Sequence, residues 1–248
     1  MLPRLALVTP ATAADNTGNW HTARRWAKIL RRSYRVTLYR DWRDDGNEDL
    51  LLALHARRSA ASVAAFVARH PARRVAVVLT GTDLYRDLPA MDRDAHRSLE
   101  LAHRIIVLQP DALNHVPQHL RAACRVVLQS APTLPHHSIP PLPLRCVVVG
   151  HLRDEKDPLT FFNALRLLPT SLPITVTHIG GALMPELASA ATALARVDPR
   201  YRWLGNLPHG LARQAMQRAH LLIHPSRMEG GAQAVIEALT SGTGVLAS

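Results

Sequence analysis

Two glutamates, Glu229 and Glu237, stand with seven residues between them in the stretch LLIHPSRMEGGAQAVIEALTSGTGVLAS, residues 221–248. Eight residues of helical rise amount to about 12 Å. The two carboxylates therefore cannot share one proton or one metal, but they can hold two ends of an elongated ligand. Gly230 and Gly231 are expected to open a helix between them, where free backbone N–H groups and the helix dipole favour an anion. A ligand with hydroxyls at both ends and a phosphate between fits, and a nucleotide sugar is such a molecule. Two solvated surface glutamates have the same spacing, so spacing alone leaves both readings open.

A second charged stretch, GHLRDEKDP at 150–158, begins with Gly150 at the end of an apolar run. Arg153 offers a planar fork and Lys156 a mobile point charge, and both suit phosphate. Asp154, Glu155 and Asp157 are the competing partners that would make this an ordinary charged turn. Nearer the start, Asn16, Thr17, Gly18 and Asn19 place amides and a hydroxyl at a helix start. They suit a small anion, or a plain N-cap by Thr17 or Asn19. Thr80, Gly81, Thr82 and Asp83 follow another apolar run, and His55 ends a third, where a lone histidine is more often structural. Asp92 and Asp94 form a two-aspartate pattern in a polar loop ahead of a helix. That setting argues against a metal site, and none is expected.

The elements that must position these residues alternate. Apolar runs at 5–9, 35–39, 50–55, 75–80, 105–108 and 126–129 read as strands. Helical patterns at 21–33, 59–70, 94–103 and 111–123 fall among them, with Ala23, Trp26, Ala27 and Leu30 on one face of the first. Residues 131–143, APTLPHHSIPPLP, contain five prolines, which continue neither helix nor central strand, and read as a linker. Strands at 146–149, 174–179, 201–204, 221–224 and 245–247 then alternate with helices at 158–168, 185–197 and 209–219. A final helix carries Val235, Ile236 and Leu239 on one face. Alternation of this kind implies an α/β fold with parallel sheets covered on both faces. The domains expected are 1–130 and 144–248, joined by 131–143.

Residues 221–248 resemble the donor-binding segment of GT-B glycosyltransferases, family 4 in particular. That family's pattern has two glutamates with seven residues between, then an alanine and a small-residue turn. Glu229, Glu237, Pro225, Ser226, Gly230, Ala238, Gly242 and Val245 match it. The resemblance implies two Rossmann-like domains facing across a cleft. It implies that Glu229 meets the donor sugar and Glu237 the ribose, while Gly150, Arg153 and Lys156 hold the diphosphate beside Gly230 and Gly231. Gly205, in LGNLPH, corresponds to the loop beside the base. Glu229, Arg153 and Lys156 are then the residues expected to carry catalysis. Asn16–Asn19 and Thr80–Asp83 form the acceptor side. The UDP-sugar is a co-substrate, and neither cofactor nor metal is expected. Many relatives have a histidine where Thr82 stands here, so that role does not carry over.

NTGNW, LTGTDLYRDL and GHLRDEKDP are similar to one subfamily, the selenosugar synthases of selenoneine biosynthesis. This implies transfer of N-acetylglucosamine or glucose to a small anionic acceptor, selenophosphate. A hydroxyl acceptor activated by Asp83 stays open.

The net charge of +11 invites a nucleic-acid partner. Only Lys28 and Lys156 among the 30 basic residues are lysine, the arginines are scattered, and aromatics make up 4%, so no stacking platform for a nucleic acid emerges. No apolar run reaches the roughly 18 residues of a membrane span. The first apolar run, broken by Pro3 and Pro10, reads as a strand and not a leader, and Cys124 and Cys146 as buried thiols. A cytoplasmic protein is the expectation. Because the second half stops immediately after a strand, it is also expected to be C-terminally incomplete.

Overall fold

A computed structural model describes residues 1–43, 46–135 and 138–248. Asp44, Asp45, and His136 and His137 of the proline-rich segment, lie outside the described residues. The chain divides into two units, one of 1–129 with 229–231, the other of 130–228 with 232–248.

The first unit is built on six parallel strands: β1 (Arg4–Val8), β2 (Arg35–Tyr39), β3 (Leu50–Leu54), β4 (Arg74–Val78), β5 (Arg104–Val107) and β6 (Cys124–Val126), in the order β2-β1-β3-β4-β5-β6. Successive side chains of a strand point to opposite faces, and the apolar runs divide accordingly. Ala6, Val8, Leu51 and Ala53 join one core cluster with Phe66, Val77 and Leu99. Leu5, Leu7, Leu52 and Leu54 join the other, under α1 (Gly18–Leu30), with Ala23 and Ala27. Strands that are apolar on both faces need helices on both. The helices α2 (Ala60–Arg69) and α3 (Arg93–Leu101) supply the remaining cover.

The second unit repeats this logic. Its strands are β7 (Leu144–Val149), β8 (Ile174–Ile179), β9 (Tyr201–Trp203), β10 (Leu221–His224) and β11 (Gly244–Ala247), all parallel, in the order β11-β10-β7-β8-β9. The helices α4 (Pro158–Leu167) and α5 (Pro185–Val197) cover one face. α6 (His209–Gln217) and α7 (Gln233–Leu239) cover the other. Strand order reverses between β7 and β10 here, and between β1 and β3 in the first unit. Parallel α/β sheets bind ligands in the crevice beyond the strand ends at such a reversal.

Three sequence expectations need correction. Residues 111–123 are not one helix but two 3₁₀ segments, Asp111–His115 and Gln118–Ala123, separated at Pro117, which cannot continue a helical ladder. The sixth strand is Cys124–Val126, earlier than the apolar run 126–129 suggested, and Val126, Val127 and Leu128 are exposed. Leu239 is 61% exposed, whereas Glu237 and Ala238 are the buried residues of α7. The proline-rich segment expected as a linker bonds to the second unit. Arg213 of α6 donates to the Pro132 carbonyl, Gln217 to that of Pro135, and the Leu134 N–H to that of Thr240.

Candidate functional site

The switch point of the second unit is an open, shallow crevice. It is lined by Val149, Gly150 and His151 after β7, by Lys156 from the following loop, and by His224, Pro225 and Ser226 at the end of β10. His178 of β8 lies behind the loop. Its Nε2 is 3.2 Å from the Gly150 carbonyl and its Nδ1 is 2.9 Å from the Tyr201 hydroxyl. Only one tautomer satisfies both neighbours: Nε2–H donates to the carbonyl and the tyrosine donates to Nδ1. Burial lowers the pKa of His178 to about 4, so the ring is neutral and the arrangement stable near pH 7. Gly180 lets this loop close down, because a Cβ there would sit 1.8 Å from the Gly150 oxygen.

The 3₁₀ turn Asp154–Lys156 and the N-cap Asp157 complete the loop. Asp157 accepts from the Thr160 backbone N–H and hydroxyl and from Arg227 Nε at 2.8 Å, and these bonds offset burial and hold its pKa low. Arg227 also donates its backbone N–H to the Glu155 carbonyl. Arg153 Nε lies 3.8 Å from Glu155, too far for a hydrogen bond. Gly205 follows β9 with φ of 69°, and its carbonyl accepts from the Gly180 N–H.

Glu237, in α7, is 5% exposed. His209 Nε2 at 2.8 Å and Gln233 Nε2 at 3.1 Å both meet Oε1. Desolvation works to raise its pKa, but the bond and charge of His209, the bond from Gln233 and the charge of Arg213 outweigh it and lower it. The result is a buried carboxylate held ionised with one oxygen occupied.

Glu229, Gly230 and Gly231 belong to the first unit. The two glycines do not open the helix as expected: α7 starts at Gln233, and Ala232, with φ of 42°, is its N-cap. Their requirement is space. A Cβ on Gly230 would come within 2.4 Å of the Thr80 carbonyl carbon and oxygen, and one on Gly231 within 2.6 Å of Gln129 Cγ. Glu229 is half-buried beside this contact.

The loop Thr80–Asp83 is organised by its own aspartate. Asp83 is fully buried, and Oδ1 accepts from the backbone N–H groups of Thr80 (2.8 Å), Gly81 (2.9 Å) and Leu84 (3.2 Å). Oδ2 accepts from the Ala56 N–H at 2.9 Å. Backbone N–H groups thus meet both oxygens of the carboxylate that the sequence left open as an activator of a hydroxyl acceptor. His55, buried, receives the Arg58 N–H on Nδ1 at 3.3 Å, so the proton is on Nε2 and points at Thr82 Oγ1, 3.0 Å away. Burial lowers its pKa despite the charge of Asp83. At the start of α1, Asn16 has φ of 47° and its Oδ1 meets His21 Nε2 at 2.8 Å. Thr17 is the N-cap by position but makes no side-chain cap bond, while Gly18 is exposed and Asn19 half-buried. Asp92 caps α3 by accepting from the Ala95 N–H and pairs with Arg57, an ordinary structural role.

The expected donor residues therefore divide between the units: Gly150, Arg153, Lys156, Gly205 and Glu237 in the second, Glu229, Gly230 and Gly231 in the first. Sequence reading missed His178 and His209. His178 stands in no motif, and His209 ends LGNLPH without being singled out there; each is identified by a partner 28 residues away.

Residues 135–248 match the family described as Glycosyl transferases group 1. A comparison with curated proteins finds no match. Among solved structures, the chain is similar to a sucrose-phosphate synthase from Thermosynechococcus elongatus, at TM-score 0.72 and 13% identity, covering 99% of this chain and 81% of the other. It is similar to Anabaena HepE in complex with UDP-glucose, at TM-score 0.68 and 13% identity, with coverages of 98% and 80%. The pneumococcal O-GlcNAc transferase GtfA in complex with UDP and GlcNAc matches at TM-score 0.61 and 16% identity, over 79% of this chain but 41% of GtfA. This chain thus spans about two fifths of GtfA's length. The fold is GT-B, with two Rossmann-like units, as expected from the sequence. No helix among the described residues is long and apolar enough to cross a membrane.

Proposed function

We propose that this chain transfers a hexose or N-acetylhexosamine from a UDP-sugar to a small anionic acceptor, selenophosphate being the first to test. The carrying observation is the crevice at the β7–β10 switch point, with Gly150 and Lys156 on its wall, inside the segment that matches the group 1 glycosyltransferase family. Lys156 and Arg153 carry the charge suited to a diphosphate, Glu237 the ribose, and Glu229 the sugar hydroxyls. A departing diphosphate is stabilised by such fixed positive groups without a metal. The acceptor's nucleophilic atom bonds to the anomeric carbon, and the carbon–oxygen bond to phosphate breaks with its electron pair leaving on UDP.

Two features of the first unit favour an acceptor that arrives already ionised. Asp83 is saturated by backbone donors, and the His55 ring presents N–H, not a lone pair, to Thr82. Neither is placed to remove a proton from a hydroxyl, and selenophosphate requires no such step. Incubation of the chain with UDP-N-acetylglucosamine or UDP-glucose, and with selenophosphate or simple alcohols, tests the proposal by mass spectrometry. The expected result is a selenium-bearing glycosyl product with stoichiometric UDP. Transfer to alcohols alone overturns the anionic-acceptor part.

A further inference from the structure

We infer that His209 is a positioning residue for nucleotide binding, acting through Glu237. This rests on the proposed role of Glu237 as the ribose acceptor. His209 is the first residue of α6, and its side chain is 35% exposed, whereas that of Glu237 is 6% exposed. The two lie on different helices, α6 and α7, so the 2.8 Å bond between Nε2 and Oε1 fixes the carboxylate relative to a second element. Gln233, one turn earlier on α7, donates to the same oxygen at 3.1 Å. Both bonds end on Oε1, which sets the rotation of the carboxylate and leaves Oε2 as the oxygen for a ligand hydroxyl.

A carboxylate buried to this extent must be neutralised or bonded to stay charged. The charged and polar groups facing it are His209 and Arg213 from α6 and Gln233 from its own helix. Arg213 acts on the carboxylate by charge, while its Nη2 donates to the Pro132 carbonyl and lies 3.5 Å from Ser241 Oγ. His209 is thus the partner that can both orient Oε1 and be removed without excavating the core.

The test is calorimetric titration of the whole chain with UDP and with 2′,3′-dideoxy-UDP, using His209→Ala, His209→Gln, Glu237→Ala and the Ala/Ala double variant. His209→Ala is expected to weaken UDP about fivefold to tenfold, with the dideoxy ligand unchanged. His209→Gln, which keeps a side-chain N–H donor, should restore most of the affinity. In the double variant the loss should equal that of Glu237→Ala alone, because the positioning residue has nothing left to position. Additive losses, or equal losses on both ligands, overturn the inference. An unchanged His209→Ala with a weakened Glu237→Ala overturns it and leaves the ribose reading intact. Normal UDP binding by Glu237→Ala removes the ribose reading itself.

Discussion

Asp83 and Glu237 are both buried carboxylates near the carboxyl ends of a parallel sheet, one in each unit, yet they are built for different work. Asp83 spends its oxygens on four backbone N–H groups from two segments, and so dictates the course of a loop. Glu237 is held by two side chains on one oxygen. Burial alone therefore does not separate a structural carboxylate from one proposed, like Glu237, to bind. The partners do: backbone donors cannot be released without unfolding the loop, whereas side-chain donors orient a group that has further use. His178 belongs with Asp83 in this contrast, because it too serves a backbone group, the Gly150 carbonyl.

The largest effect that would break the contrast is expected at Asp83. Asp83→Ala strands several buried N–H groups and should cost roughly 3–5 kcal/mol in urea unfolding. A stable Asp83→Ala protein that has lost only acceptor affinity would place Asp83 with Glu237. Next comes His178. Its folded pKa is about 4 against an ordinary 6.5, so the unfolded chain takes up the proton first as pH falls. The stability it contributes is complete above pH 6.5 and disappears progressively between 6.5 and 4, by roughly 3 kcal/mol. Unfolding measured across that window, with His178→Asn as the pH-insensitive control, should show this loss. The smallest effect on folding is expected at Glu237. Glu237→Ala should weaken UDP by roughly 1.5–3 kcal/mol while costing less stability than Asp83→Ala. A melting temperature that falls as far as for Asp83→Ala would erase the distinction.

Much of the architecture was legible because apolar runs such as Leu50–Leu54 bury both faces and announce themselves by composition. Helix ends were harder. Pro117 breaks a helical pattern that looks continuous, and Ala232 takes a left-handed conformation that no neighbouring residue signals. The geometry around the candidate residues was less legible. Gly230 was noticed as a helix opener, but its reason is the Thr80 carbonyl, about 150 residues earlier in the chain. His178 and His209 were invisible for the same reason: their meaning lies in contacts across the fold, not in local pattern.

The near-absence of lysine gives Lys156 an experimental consequence. Acylating reagents that attack amines have two side-chain targets here, Lys28 on the outer face of α1 and Lys156 on the crevice wall, besides the terminal amine. Peptide mapping after brief acylation then becomes a footprint with its own internal standard. UDP should slow modification of Lys156 and leave that of Lys28 unchanged, reporting occupancy of the crevice without any knowledge of the acceptor.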